Sequence, residues 1–291
     1  MNDRSRILGH ALWWQLTWPV IAAGIVVLLS ACSSPSQRIY KMASGYGMEQ
    51  LTIRGNPFQH VAYLKMAQVE SQRLHVYIEG DGRPWLYGRE IAEDPTSLKP
   101  LALTLANLDA ENVLYLGRPC YMGFANSGVC EKKYWTSARY AAEVVASMST
   151  ALKAVLDELD VKSVHLIGYS GGGSLAMLMA TEPFLSAVPS IEKVVTIAAN
   201  LNVDAWTQHH NYLPLNESLD PSLQTYPNTV SFLHYAGSAD KNIPASQLLD
   251  FVAEQGGSHK ILADVDHNCC WAQRWPMLLP QVSIPISGQA Q

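Results

Sequence analysis

The sequence predicts an α/β fold, a mostly parallel sheet of eight strands with helices on both faces. Three observations lead there. Strand-like apolar runs alternate with helical stretches over most of the chain. The turn Gly168-Tyr169-Ser170-Gly171-Gly172 joins an apolar run at 163–167 directly to an apolar helical stretch at 174–180. Residues able to do acid–base chemistry fall just past the later strands, where open parallel sheets place their ligands.

In order along the chain, the strands are expected at 49–54, 61–66, 74–78, 112–116, 163–167, 193–198, 229–235 and 260–265. The first two or three have no helix between them and are expected as antiparallel neighbours. A helix is expected at 98–107. A longer one at 137–159 carries Ala141, Val144, Val145, Met148, Leu152, Val155, Leu156 and Leu159 at spacings of three and four. Another covers 245–254 and stops at Gly256-Gly257, a helix-end signal. The segment 200–228 is long for a connection and rich in Trp, His and Pro, so it is expected to form a small cap insertion.

The first 31 residues read as an export signal. Arg4 and Arg6 form a basic start, an apolar run covers 20–29, and small residues follow. The ending Leu29-Ser30-Ala31-Cys32 resembles the lipobox of bacterial lipoproteins. That resemblance implies cleavage before Cys32, lipidation of Cys32 and attachment to a membrane of the bacterial envelope. Ser33, in place of Asp, implies the outer membrane if the source is Gram-negative. Residues 32–48 are expected to be a flexible tether, leaving 49–291 as one domain.

The chain has 291 residues and a formal net charge of −5, with its Lys and Arg scattered, which argues against nucleic acid as a partner. Apart from Cys32 the cysteines are Cys120, Cys130, Cys269 and Cys270, an even number that suits an oxidising compartment. Cys120 and Cys130 bracket a Gly-containing loop and are the expected disulfide. Cys269 and Cys270 are adjacent and could bridge each other, pair elsewhere or stay reduced.

Within the turn at Ser170, the residues two before and two after the apex approach closely, and Gly168 and Gly172 fit those places. No Lys follows the glycines as a phosphate-binding loop requires. Strand, sharp turn and helix with serine at the apex resemble the nucleophile elbow of the α/β-hydrolase superfamily over roughly residues 49–280. The chain as a whole is similar to bacterial lipoprotein members of that superfamily, a likeness that implies fold and reaction class but no substrate.

The resemblance implies an acid and a base in the order Ser, Asp or Glu, His. Asp240 lies past the seventh predicted strand and His267 past the eighth, so Ser170, Asp240 and His267 are the expected catalytic residues. Asp204, past the sixth strand, is an alternative acid. Asp266 is too near His267 in sequence to orient it, and His259 precedes the last strand. His209 and His210 fall in the cap.

The oxyanion hole is expected from the N–H of Gly171 and one from the loop Glu79-Gly80-Asp81-Gly82, with Asp81 the first choice and Gly80 the second. Glu79 stands where many esterases have His. Arg118-Pro119-Cys120-Tyr121 is expected to line the same mouth. His267, Cys269, Cys270 and Asp266 fit no familiar zinc spacing, so no metal or other cofactor is expected. The expected function is an envelope-anchored serine hydrolase that cleaves an ester of a small acyl substrate. A peptidase, an acyltransferase and a non-catalytic envelope binding protein are the alternatives.

Overall fold

The computed structural model describes residues 34–186 and 190–283. The export signal of 1–31 and Cys32 therefore lie outside the described residues. Among those described, no helix is long and apolar enough to cross a membrane.

The expected tether is corrected at once, because most of it is helix α1 (Pro35–Gly45). Ser34 caps it: the Ser34 hydroxyl accepts from the Gln37 N–H at 3.2 Å, and Gln37 Oε1 accepts from the Ser34 N–H at 3.1 Å. This reciprocal pair satisfies two N–H groups that a helix start leaves open, and Pro35 has no N–H to satisfy. Ile39 and Ala43 are buried, so α1 is docked on the domain. The polar composition of 33–37 concealed a Ser-x-x-Gln capping box.

Strands β1 (Glu49–Arg54) and β2 (Gln59–Lys65) form the expected antiparallel pair. Strand β3 (Arg73–Ile78) does not join them. After a two-stranded ribbon, β4 (Trp85–Leu86) and β5 (Glu90–Ile91), and helix α2 (Leu101–Asn107), strand β6 (Asn112–Leu116) inserts between β2 and β3. It pairs antiparallel with β2 and parallel with β3. The burial pattern fits: β3 is enclosed from Leu74 to Ile78, as a central parallel strand must be, whereas β1 is mostly exposed and takes the edge.

From β3 the sheet continues parallel through β7 (Ser163–Tyr169), β8 (Ser190–Ile197), β9 (Ser231–Gly237) and β10 (Ser258–Leu262). The main sheet thus has eight strands, seven joined in the order β1-β2-β6-β3-β7-β8-β9 and β10 at the far edge. Helices α3 (Ala142–Leu156) and α4 (Gly171–Met179) pack together, as do α2 and a last helix, α7 (Trp271–Ser283). Helix α5 (Val203–His209) lies in the segment expected as a cap, and α6 (Ala245–Gln255) precedes β10.

Two helix starts move inward for local reasons. Helix α2 begins at Leu101 because Pro100 caps it and disfavours helical geometry at Lys99. Helix α3 begins at Ala142 rather than 137, because the backbone before it bonds elsewhere. The Tyr140 N–H donates to Ser218 Oγ at 3.1 Å, and its C=O accepts from the Leu219 N–H at 3.0 Å. Helix α7 was not anticipated. Its buried residues Trp271, Trp275, Leu278 and Val282 keep helical spacing, but Pro276 and Pro280 inside it read as breakers.

Candidate active site

Strand β7 is buried along its whole length and turns into α4 at Ser170 with φ 52° and ψ −125°. Such a left-handed conformation costs about 1–3 kcal/mol outside glycine and persists only when its surroundings hold it. Two bonds do so here. The Ser170 N–H donates to the Ile197 C=O of β8, and the Ser170 C=O accepts from the Gly173 N–H, both at 2.9 Å. The flanking glycines are as tight as the turn requires. A methyl on Gly168 would lie 2.2 Å from the Gly172 carbonyl oxygen, and one on Gly172 would lie 2.2 Å from that of Ile78.

The turn delivers the Ser170 hydroxyl to an imidazole. Ser170 Oγ lies 3.1 Å from His267 Nε2, and His267 Nδ1 lies 2.8 Å from Asp240 Oδ2. Asp240 stands in the loop between β9 and α6, His267 in the loop between β10 and α7. The other Asp240 oxygen, Oδ1, accepts from the N–H groups of Asn242 at 2.8 Å and Ile243 at 2.9 Å. That fixes which oxygen faces the ring. The Asp240 side chain is sealed from solvent, and the imidazole of His267 is 15% exposed. An imidazole between an alcohol and a buried carboxylate can take the alcohol's proton on Nε2 while Nδ1–H stays paired. All three residues picked from sequence are brought together. Asp204 is instead an exposed residue in the first turn of α5, and His259 an exposed residue of β10.

Two side chains that sequence reasoning missed steady the imidazole. Tyr169 donates from its hydroxyl to the His267 C=O at 2.9 Å, with the two rings 5.3 Å apart. Asn242 places Nδ2 3.0 Å from His267 Nε2. Asp266, next to His267, accepts through Oδ1 from the N–H groups of Asn268 at 2.8 Å and Cys269 at 2.6 Å, so it shapes the turn rather than the ring's partner. Cys269 and Cys270 bridge each other beyond it.

Across the elbow, Gly80 packs so close that a methyl on it would lie 3.2 Å from Ser170 Cβ. Glu79 turns its carboxyl inward. Oε1 accepts from the Gly80 N–H at 3.1 Å and Oε2 from the Ala102 N–H at 3.0 Å, which ties the loop to the start of α2. Loss of water pushes its pKa up to about 7, against the pull of those N–H groups. Asp81 follows in the opposite condition. Its Oδ1 accepts from Arg118 Nη1 at 2.5 Å and its Oδ2 from Arg139 Nη1 at 2.7 Å, and the Tyr140 hydroxyl reaches both oxygens. Burial alone would raise its pKa, but the guanidinium groups of Arg139 and Arg118 outweigh burial and hold it well below the carboxylate range.

This carboxylate covers the helix start: a methyl on Gly171 would lie 2.1 Å from Asp81 Oδ1. Among the described residues, the N–H groups of Gly171 and Asp81 make no hydrogen bond. The Asp81 C=O accepts from the Tyr121 hydroxyl at 2.9 Å, so the segment from Arg118 to Tyr121 does border the site. Cys120, within that segment, is bridged to Cys130 as expected, with Cα atoms 5.5 Å apart.

The expected cap segment is tied to the same region. His210 Nε2 lies 2.7 Å from the Asn242 C=O, and the Asp220 carboxylate accepts from the Val203 N–H at 2.8 Å. Trp206 of α5 sits with its ring 6.0 Å from Arg139 Cζ.

No family model matches the sequence, and no curated protein does. Solved structures do match in fold. The carboxylesterase CesB of Bacillus subtilis is 13% identical, with 87% of this chain and 99% of that chain covered and a TM-score of 0.52. The Pyrococcus furiosus esterase PF2001 is 13% identical, with 80% and 90% covered and a TM-score of 0.54. A candidate hydrolase of Agrobacterium vitis is also 13% identical, with 81% and 98% covered and a TM-score of 0.54. At such identities the likeness is one of architecture, and the architecture is the α/β-hydrolase fold.

Proposed function

We propose that this chain, an α/β-hydrolase by fold, is a serine hydrolase that cleaves a carboxylic ester through an acyl-enzyme. The observation that carries the reading is the relay from Ser170 Oγ to His267 Nε2 at 3.1 Å and from His267 Nδ1 to Asp240 Oδ2 at 2.8 Å. A serine hydroxyl is a weak nucleophile near neutral pH and needs an adjacent base. His267 takes its proton as Ser170 attacks the ester carbonyl, then returns the proton to the departing alcohol. Asp240 keeps the proton on Nδ1 in the resting state and stabilises the imidazolium. The oxyanion is received by the N–H of Gly171 and of Asp81, whose protons have no other acceptor among the described residues. A water repeats the sequence on the acyl-enzyme and releases the acid.

The direct test is labelling by a fluorophosphonate followed by peptide mapping. Phosphonylation at Ser170, lost on unfolding and in Ser170→Ala, supports the reading. Folded protein that leaves Ser170 unmodified overturns it. Turnover of p-nitrophenyl esters against peptide amides and acyl acceptors then separates esterase from peptidase and acyltransferase.

The site of action proposed is the bacterial envelope, with Cys32 lipidated and the domain held at a membrane, the outer one in a Gram-negative cell. Two features support this: the Leu-Ser-Ala-Cys ending of the leader and a pair of disulfides that suit an oxidising compartment. Incorporation of labelled palmitate that vanishes in Cys32→Ser tests it.

A further inference from the structure

The cluster around Asp81 is short of negative charge. Arg118 and Arg139 are 2% and 5% exposed, and both bond one carboxylate, that of Asp81. Two guanidinium groups against one carboxylate leave an excess positive charge beside the elbow, where a buried cation is costly unless paired. The cluster is also short of acceptors among the described residues. Arg139 donates from Nε to the Thr136 C=O and from Nη1 to Asp81, but its Nη2 makes no hydrogen bond and is not sealed from solvent. Trp206, whose ring faces that guanidinium, has its Nε1 buried with no partner. Arg118 Nε is likewise buried and unpartnered, and Arg118 is held between the rings of Tyr121 and Tyr140.

Native proteins rarely leave several donors unpaired in one place, and these point to an acceptor supplied from outside. Position says when it arrives. Arg139 holds the same carboxylate that covers Gly171, so its free nitrogen is one side chain away from the proposed oxyanion hole. Trp206 lies on the segment expected as a cap, its ring 6.0 Å from Arg139 Cζ.

We infer that the ester hydrolysed here carries a second, anionic oxygen group, a carboxylate or a phosphate, seated at Nη2 of Arg139 beside Trp206, a few bonds from the scissile carbonyl. This rests on the hydrolase reading for the word ester, but not for the anion site itself. Arg139 is then a specificity residue: Nη1 clamps Asp81 and Nη2 reads the substrate.

The experiment has two arms. In the first, kcat/KM is compared for p-nitrophenyl hemiglutarate, neutral p-nitrophenyl valerate, and an acyl glycerol phosphate, the last separating a phosphate from a carboxylate. The expected result is a preference of about ten- to a hundred-fold for one of the charged esters, the worth of a charge-assisted hydrogen bond. In Arg139→Gln and in Trp206→Phe that preference shrinks, chiefly through KM. Loss of the Asp81 clamp alone would lower all three substrates in proportion, and that outcome overturns the inference, as does equal turnover of charged and neutral esters by the parent protein. The second arm needs no turnover. Glutarate and inorganic phosphate are titrated into Ser170→Ala by calorimetry, with and without Arg139→Gln. Binding by one of them that depends on Arg139 upholds the anion site even if Ser170 proves unreactive; binding by neither overturns it.

Discussion

Asn242 Nδ2 approaches Nε2 of His267 to 3.0 Å, the same nitrogen that Ser170 Oγ reaches at 3.1 Å. With the Nδ1 proton given to Asp240, Nε2 has one lone pair for two donors. The amide therefore shares Nε2 with the Ser170 hydroxyl and holds the ring in place. It does so from the loop that Asp240 anchors, since the Asn242 N–H donates to Asp240 Oδ1 at 2.8 Å.

Truncating that amide should have a modest cost. Asn242→Ala removes one hydrogen bond, worth roughly 0.5–1.5 kcal/mol, so kcat/KM is expected to fall about two- to ten-fold. Asn242→Asp is nearly isosteric but presents a carboxylate to Nε2. It would hold the ring as a donor to itself and take the base away from Ser170, so a loss of about a hundred-fold or more is expected. Steady-state kinetics on one ester checks both. An Asp variant as active as the Ala variant would show that Asn242 does not face the base during turnover.

The relay itself predicts a steeper hierarchy. Ser170→Ala should abolish fluorophosphonate labelling and cost at least about 10⁴-fold in kcat, with the remainder due to binding and the oxyanion donors. Asp240→Asn keeps the shape but offers Nδ1 a donor as readily as an acceptor, so a loss of about 10³-fold or more is expected. Combining the two should cost little beyond the serine alone, because they act as a unit. Single-turnover kinetics on the single and double variants measures this.

Glu79 and Asp81 are two residues apart with opposite acidities, and each makes stability depend on pH. Burial raises Glu79 from 4.5 to about 7, so its contribution is fully present below pH 4.5 and is lost as pH rises to about 7. A shift of that size corresponds to roughly 3 kcal/mol. Asp81 has the reverse sign. Its depressed pKa contributes stability above the unfolded value of 3.8, lost as pH falls below that value. Urea unfolding from pH 3 to 8 should therefore show a decline on each side of about pH 4.5. Glu79→Gln should flatten the alkaline side alone. Asp81→Asn, which strands two buried guanidinium groups, should cost about 3–5 kcal/mol at neutral pH.

The legible parts of this molecule were those written locally. Ser170 is marked by its flanking glycines, and Asp240 and His267 by lying just past strands, so position along the chain was enough to converge them. Asp81 was singled out from sequence for its backbone N–H, and nothing there marked its carboxylate as the partner of Arg118 and Arg139. Those pairs join segments far apart in sequence, and the helix expected at 137–159 took in Arg139 and Tyr140, which in the structure precede α3. The place of β3 was hidden for a related reason. Alternation and turns say which segments are strands, while insertion of β6 between β2 and β3 is decided by which strand the core encloses on both faces. Helices α1 and α7 failed on local grounds, one for an unread capping box at Ser34 and the other for prolines at 276 and 280.

The Cys120–Cys130 bridge closes the loop that carries Tyr121 toward Asp81, so its loss should register in stability and at the site. Cross-links over loops of this length contribute about 2–4 kcal/mol, mainly by restricting the unfolded chain. Cys130→Ser removes the bridge at its partly buried end and leaves Cys120, which is fully buried, in place. The variant is expected to unfold at lower urea by that amount. Its ester turnover should fall through the Tyr121 contact that supports the Asp81 carbonyl, with fluorophosphonate labelling of Ser170 slowed but not abolished. Equal unfolding midpoints for the parent with and without a dithiol reductant would show that the bridge does not form in the folded protein.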